Sequence, residues 1–186
     1  LLGLHNRRLV MAKTSYYVAV SLDGFIARED GTVDWLSNYT APLETPYDYE
    51  PFYQTVSAVV MGRKTYDTVI SFGKYAYKGK PGLVLSKNAY LQINQPGVES
   101  VSLDWKERFE RLKASAKDRI WLVGGGEVAS LFVKENLLDE IILTIIPETI
   151  GTGMQWLGKT SLTAGWLLSE HHLSKNGVIQ LVYSKR

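Results

Sequence analysis

The chain has 186 residues, 45% of them hydrophobic and 22% charged, with a net charge of +2; that balance fits one globular domain with a sizeable core and excludes a disordered or low-complexity chain. Its 21 Lys and Arg residues are scattered and form no stripe, which argues against a nucleic-acid binder. The absence of cysteine excludes disulfides and thiolate metal sites and suits a cytoplasmic location, and no apolar run reaches the roughly 18 residues of a membrane span.

Met11 is expected to be a natural start, with residues 1–12 an N-terminal extension and 13–186 a single domain. Thr14 to Val20 is rich in β-formers and apolar throughout, as for a strand buried on both faces. Phe25 to Ala27 is expected to resume that strand after the Asp23-Gly24 turn. A mobile stretch from Thr32 to Pro46 follows, carrying Asp34-Trp35-Leu36. Pro46 to Thr55 predicts a short helix that Pro51 should limit. Ala58 to Met61 is a short buried strand running into Gly62-Arg63-Lys64-Thr65, after which Tyr66, Val69 and Ile70 recur at helical spacing.

Leu83 to Leu85 predicts a strand ending in Ser86-Lys87, and Val98 to Val101 a weaker one. From Asp104, an expected N-cap, Trp105, Phe109, Leu112 and Ala116 mark an amphipathic helix. Ile120 to Val123 is a strand that meets Gly124-Gly125-Gly126 and a helix expected to run to about Leu138. Ile141 to Ile146 is an apolar strand closed by Pro147. Leu167 to Leu173 and Val178 to Tyr183 are two strands joined at Asn176-Gly177, a strong hairpin signal. Strands alternating with helices predict a three-layer α/β domain with a mostly parallel sheet and an antiparallel C-terminal hairpin.

Three junctions carry the chemistry. The glycine triplet between strand and helix lets an anion approach main-chain N–H groups at the positive end of a helix dipole. At Gly62-Arg63-Lys64-Thr65 two cations sit where that dipole disfavours them, a mismatch that a bound anion relieves. Ser86-Lys87 places a hydroxyl and a cation at a third strand end. In open α/β sheets such ends gather ligands. The alternative at each junction is structural: glycines that pack helix on strand, and cations that point into water. Gly124-Gly125-Gly126-Glu127-Val128-Ala129 also fits a dinucleotide-binding pattern, but too little chain follows it for a Rossmann domain.

Ser21 to Ala27, Met61 to Tyr66, Val123 to Glu127 and the loop from Pro147 to Gly153 together resemble the RibD C-terminal domain family of the dihydrofolate-reductase-like superfamily. The resemblance implies the dihydrofolate-reductase-like fold and a single-domain reductase using NADPH. It further implies that Gly62, Arg63, Lys64 and Thr65 meet the cofactor phosphates and that Ser86 and Lys87 lie by the adenosine 2′-phosphate. Gly124, Gly125, Gly126, Glu127 and Val128 would receive the pyrophosphate. It implies a homodimer as well, for which the hairpin Val178 to Tyr183 could supply an interface.

Hydride chemistry belongs to the cofactor, so the protein must supply alignment and a proton. Asp23, at a strand end before glycine, is where the family places a substrate-facing acid. Asp34, beside Trp35 and Leu36, is a second acid whose pKa an apolar wall would raise. Both have structural alternatives, a turn for Asp23 and a helix cap for Asp34. Trp35, Asp48 and Phe52 are expected to contact the substrate, a small pterin-, folate- or ribosylaminopyrimidine-like heterocycle, with a place in the core the equal alternative for Phe52 and the aromatics beside it. The unusually aromatic surroundings of Asp48 put folate itself in doubt. His171 and His172 are adjacent in a strand and face opposite sides, so no metal site is expected. A non-catalytic nucleotide-binding or sensing domain of the same fold is the competing reading.

Overall fold

The computed structural model describes residues 12–39, 42–159 and 163–186. The expectation for residues 1–11 lies outside that range. Ala12, assigned from the sequence to the extension, is 2% exposed and packs in the core.

Ten strands and four α-helices alternate as expected: β1 (Lys13–Ser21), β2 (Phe25–Ala27), α1 (Tyr49–Thr55), β3 (Val56–Gly62), α2 (Arg63–Ser71), β4 (Gly82–Leu85), β5 (Val98–Val101), α3 (Trp105–Ser115), β6 (Arg119–Gly124), α4 (Gly126–Lys134), β7 (Glu140–Ile146), β8 (Met154–Gln155), β9 (Trp166–Leu173) and β10 (Ile179–Lys185). A 3-10 helix spans Asp34–Tyr39. Eight strands form one sheet in the order β5-β4-β3-β6-β1-β7-β10-β9. It is parallel from β5 to β7, and β10 pairs antiparallel with both β7 and β9. The predicted mostly parallel sheet with its antiparallel hairpin is therefore present, with the turn at Asn176-Gly177, where Gly177 has φ +82.

Strand side chains alternate between two packed layers. One face carries Tyr16, Val60, Ile120 and Leu122 against Phe109 of α3 and Ala129 and Phe132 of α4. The other carries Val59, Met61, Trp121 and Ile142 against Phe52 of α1 and Tyr66 and Val69 of α2. A smaller cluster gathers Trp35, Ile146 and Val178.

Four local expectations change. Phe25–Ala27 does not resume β1; it pairs with β8 as a separate two-stranded ribbon. Pro51 does not shorten α1, because it falls in the first turn, where its missing N–H has no partner to lose. Asp104 occupies the N-cap position of α3 without capping it. With φ −89 and ψ 8 it lacks the extended backbone of a cap, and its carboxylate accepts from Arg108 Nε at 2.9 Å. Helix α4 stops at Lys134, short of Leu138, because Asn136 adopts the left-handed φ of 58 and the Leu137 amide closes back on Phe132 O at 2.9 Å.

Candidate functional site

Register places the three junctions side by side. Gly62 at the end of β3 pairs with Leu85 of β4, and Met61 pairs with Gly124 of β6, so Arg63, Ser86 and Gly125 follow directly from the carboxyl ends of three adjacent parallel strands. A bulge where the register shifts between Val60 and Met61 leaves Val123 as the extra residue of β6. A Cβ built on Gly62 would stand 3.0 Å from Val128 Cγ2 and 3.9 Å from both Gly124 O and the Gly125 amide. The junctions thus meet at one spot.

Helices α2 and α4 both begin there. Gly62 and Gly125 are their N-caps, each in extended conformation and without a side-chain hydrogen bond to the helix. The first amides of both helices, from Arg63 to Thr65 and from Gly126 to Val128, have no carbonyl within their own helix to bond. Two positive dipole ends with donors unbonded within their helices are an arrangement able to attract an anion. Glu127 can join it only through its amide, because its carboxylate would repel a phosphate.

The glycines of the triplet differ in role. Gly124 has φ +136 and precedes a cis peptide bond to Gly125. A Cβ on Gly125 would meet Thr65 Oγ1 at 3.5 Å and Ile26 Cδ1 at 3.9 Å, ordinary contacts, so a methyl group would fit there. At Gly126 a Cβ would fall 2.2 Å from Gln155 O and 3.1 Å from Gly158 N. Gly126 is a packing glycine for the segment after β8, whose Gly158 amide bonds Gly126 O at 2.9 Å.

The cations stand at the rim. Arg63 is held within α2, its Nε 2.7 Å from both carboxylate oxygens of Asp67, and it stays 43% exposed. Lys64 and Lys87 are exposed, and neither has an ion-pair partner among the described residues. Ser86 Oγ accepts from the Asn88 amide at 3.0 Å, which folds the loop after β4.

The expected acids are structural anchors. Asp23 accepts from Ser21 Oγ at 2.6 Å and from the Ile150 and Gly151 amides at 3.1 and 2.8 Å, so it pins the loop after β7. Its carboxyl is held below the usual range, chiefly by the Ser21 hydroxyl and then by those amides. Asp34 opens the 3-10 helix and takes Arg28 Nε at 2.7 Å, which lowers its pKa as well. The apolar wall expected to raise it is absent, because Trp35 turns inward. Carboxyls held low are ionised acceptors at neutral pH, so neither is carried forward as the proton donor.

The expected substrate contacts fare likewise. Trp35 is 6% exposed and Phe52 2%, and both are core. Phe52 stacks on Tyr17 with ring centroids 4.2 Å apart and meets Trp121 edge-on at 5.4 Å. Asp48 caps α1, accepting from the Tyr49 amide at 2.9 Å and the Leu43 amide at 3.1 Å. What the sequence did not reveal is a break in the burial of two central strands. On the face bearing α1 and α2, Tyr17 and Ala19 of β1 and Val123 of β6 remain half-buried in strands otherwise covered on both sides. Burial raises the Tyr17 pKa, with the Asp48 charge adding to it, so its phenol is a hydrogen-bond donor. No periodicity could have shown this gap, because a strand that lines a groove and one that is fully covered read alike.

The family model for the RibD C-terminal domain matches residues 12–179. The Bacillus subtilis protein YwjB is 38% identical over 145 residues, covering 76% of this chain and 80% of that protein. A structure from Shewanella sp. PV-4, named for riboflavin biosynthesis, superposes with a TM-score of 0.81 at 27% identity, over 94% of this chain and 99% of that one. Dihydrofolate reductase of Enterococcus faecalis, solved with NADP(H), shares the fold with a TM-score of 0.64 at 16% identity, over 94% and 96% of the two chains. With this fold, these junctions and this match over nearly all its described length, the chain belongs to the RibD C-terminal domain family.

Proposed function

We propose that the protein is an NADPH-dependent reductase of a small conjugated heterocycle of the pterin or ribosylaminopyrimidine kind. The observation that carries the reading is the meeting of two glycine-capped helix N-termini, α2 and α4, at the ends of adjacent strands, with Arg63, Lys64 and Lys87 at the rim. Bound there, the cofactor would supply the hydride. The amides of Arg63 to Thr65 and of Gly126 to Val128 would hold its phosphates, and Gly125, without a side chain, would let the pyrophosphate approach the main chain. Ser86 and Lys87, next to Arg63 across β3 and β4, would take the 2′-phosphate that separates NADPH from NADH. The half-buried surface of Tyr17, Ala19 and Val123 would receive the flat substrate, oriented by the Tyr17 hydroxyl and flanked by the half-exposed Tyr49. The proton for the reduced bond then arrives through water, since Asp23 and Asp34 stay ionised. The same reading takes the protein as a homodimer.

Titration with each nucleotide tests it. NADPH should bind at least about tenfold more tightly than NADH, the worth of one charge-assisted contact. Lys87→Ala should erase most of that preference, and Arg63→Ala should weaken both. Equal affinities for the two nucleotides would overturn the cofactor assignment. A second reading, a nucleotide-binding domain without turnover, is favoured by one observation, the structural use of both expected acids. Loss of reduced-nicotinamide absorbance with dihydrofolate or a ribosylaminopyrimidine as acceptor excludes it.

A further inference from the structure

A cavity of about 300 Å³ lies between the last turn of α4, the start of β9 and the end of β10. That volume falls at the lower end of the roughly 300–1,000 Å³ of small-molecule sites. Lys134, which lines it, closes α4, whereas Gly126 opens that helix at the nucleotide site proposed above. At ~1.5 Å per residue the two stand about 12 Å apart, so the cavity is a separate place.

Its walls divide by chemistry. Leu138, from the core cluster under α3 and α4, forms an apolar floor with Val133 and Trp166, which pack against that cluster. Lys134, Lys185 and Arg186 surround the floor, and no carboxylate lines the cavity among the described residues. The acids next to it in sequence are engaged elsewhere. Glu135 accepts from Lys106 Nζ at 2.8 Å, and Asp139 accepts from Lys113 Nζ at 3.1 Å and from the Thr14 amide at 2.9 Å.

Cations here have one structural use, to offset the negative end of the α4 dipole. Lys185 serves it, its Nζ donating to Asn136 O at 2.9 Å. Arg186 does not, because it follows β10 and its stem lies on Gly165, where a Cβ would come within 3.0 Å of Arg186 Cδ. Neither Lys134 nor Arg186 has an ion-pair partner among the described residues. Register sets Trp166 directly opposite Lys185, so an indole ring and the cations border the same space. A flat ring gains by packing on the indole, and an acid group gains by pairing with the cations. A ligand that satisfies both walls carries both parts.

We propose that this cavity binds a small aromatic acid, a flat one- or two-ring body with a single anionic group. Trp166 and Val133 take the ring, and Lys134 and Arg186 take the acid group. The site goes beyond the nucleotide reading and does not depend on it.

Isothermal titration calorimetry with 2-naphthoate tests it. Two controls run beside it: 2-naphthalenemethanol keeps the rings without the charge, and acetate keeps the charge without the rings. One equivalent of naphthoate should bind at least about tenfold more tightly than either control, the worth of one charge-assisted contact. The double substitution Lys134→Ala with Arg186→Ala, at exposed positions, should weaken naphthoate at least about fivefold with an unchanged circular dichroism spectrum. Lys87→Ala, beside the nucleotide site, and saturating NADPH should each leave naphthoate affinity as it is. No binding at millimolar naphthoate overturns the proposal, as does equal binding of either control or a double variant with wild-type affinity. Competition by NADPH, or weaker binding in Lys87→Ala, would put the acid in the nucleotide site and overturns it too.

Discussion

Gly125 and Gly126 are adjacent and identical in sequence, yet their surroundings assign them opposite roles. Gly126→Ala drives a methyl group to 2.2 Å from the Gln155 carbonyl, a backbone atom that cannot swing aside. A loss of about 1–3 kcal/mol in denaturant unfolding is expected, the usual cost of overpacking. Gly125→Ala meets Thr65 Oγ1 at 3.5 Å and Ile26 Cδ1 at 3.9 Å, both ordinary contacts, so the fold should keep its stability while nucleotide affinity falls. The pair separates packing from binding, and equal stability loss in both would show that neither glycine is free to serve a ligand. Asp23 carries a second residue-scale expectation. Its folded pKa is depressed below the roughly 3.9 of an unfolded Asp. It therefore contributes stability that is fully present above pH ~4 and is lost as the pH falls through the folded value. Thermal unfolding of Asp23→Asn should show a lower Tm at pH 7 and a smaller drop between pH 5 and pH 3 than wild type. An identical acid drop in both would mean that other carboxyls carry the acid sensitivity.

At the scale of elements, helix starts were legible and helix functions were not. The runs Gly62-Arg63-Lys64-Thr65 and Gly124-Gly125-Gly126 announced two strand-to-helix turns because glycine and spacing are local properties. Whether Trp35 and Phe52 faced a ligand or the core depended on which sheet face their elements met, and both turned inward. The opposite end of the sheet carries an element-scale device that no local pattern announced. At the amino ends of β1, β6 and β7, Glu140 is 2% exposed and accepts from Ser15 Oγ at 2.8 Å, Lys13 Nζ at 2.9 Å and the Arg119 guanidinium. One carboxylate ties three strands. Replacing it by Glu140→Gln strands the largely buried Arg119 charge, and a loss of about 3 kcal/mol is expected in denaturant unfolding. A loss below about 1 kcal/mol would show that solvent reaches the cluster.

For the whole molecule, the two ends of the sheet are specialised. Amino ends are tied by ion pairs, and carboxyl ends carry the first amides of α2 and α4 and the exposed cations Arg63, Lys64 and Lys87. This polarity follows from parallel pairing, which sends every strand-to-helix turn to the same edge. The sheet is also uneven from side to side: helices crowd β3, β4 and β6, and no helix among the described residues covers one face of β7, β10 and β9.

Local properties were enough to determine most of the main-sheet strands and the starts of their helices, where the glycine turns fall, that the sheet is mostly parallel with a closing hairpin, and which family the chain resembles; they missed the β2-β8 ribbon and the 3-10 helix at Asp34–Tyr39. Spacing, glycine content and β-branching act within a few residues, so the sequence carries them openly. Only the tertiary structure decided that Asp23, Asp34 and Asp48 are anchors, that Phe52 and Trp35 are core, and that Tyr17, Ala19 and Val123 stay half-buried. Those outcomes depend on partners up to 128 positions away, as between Asp23 and Gly151. A carboxylate becomes a loop clasp or an acid according to what the fold brings against it.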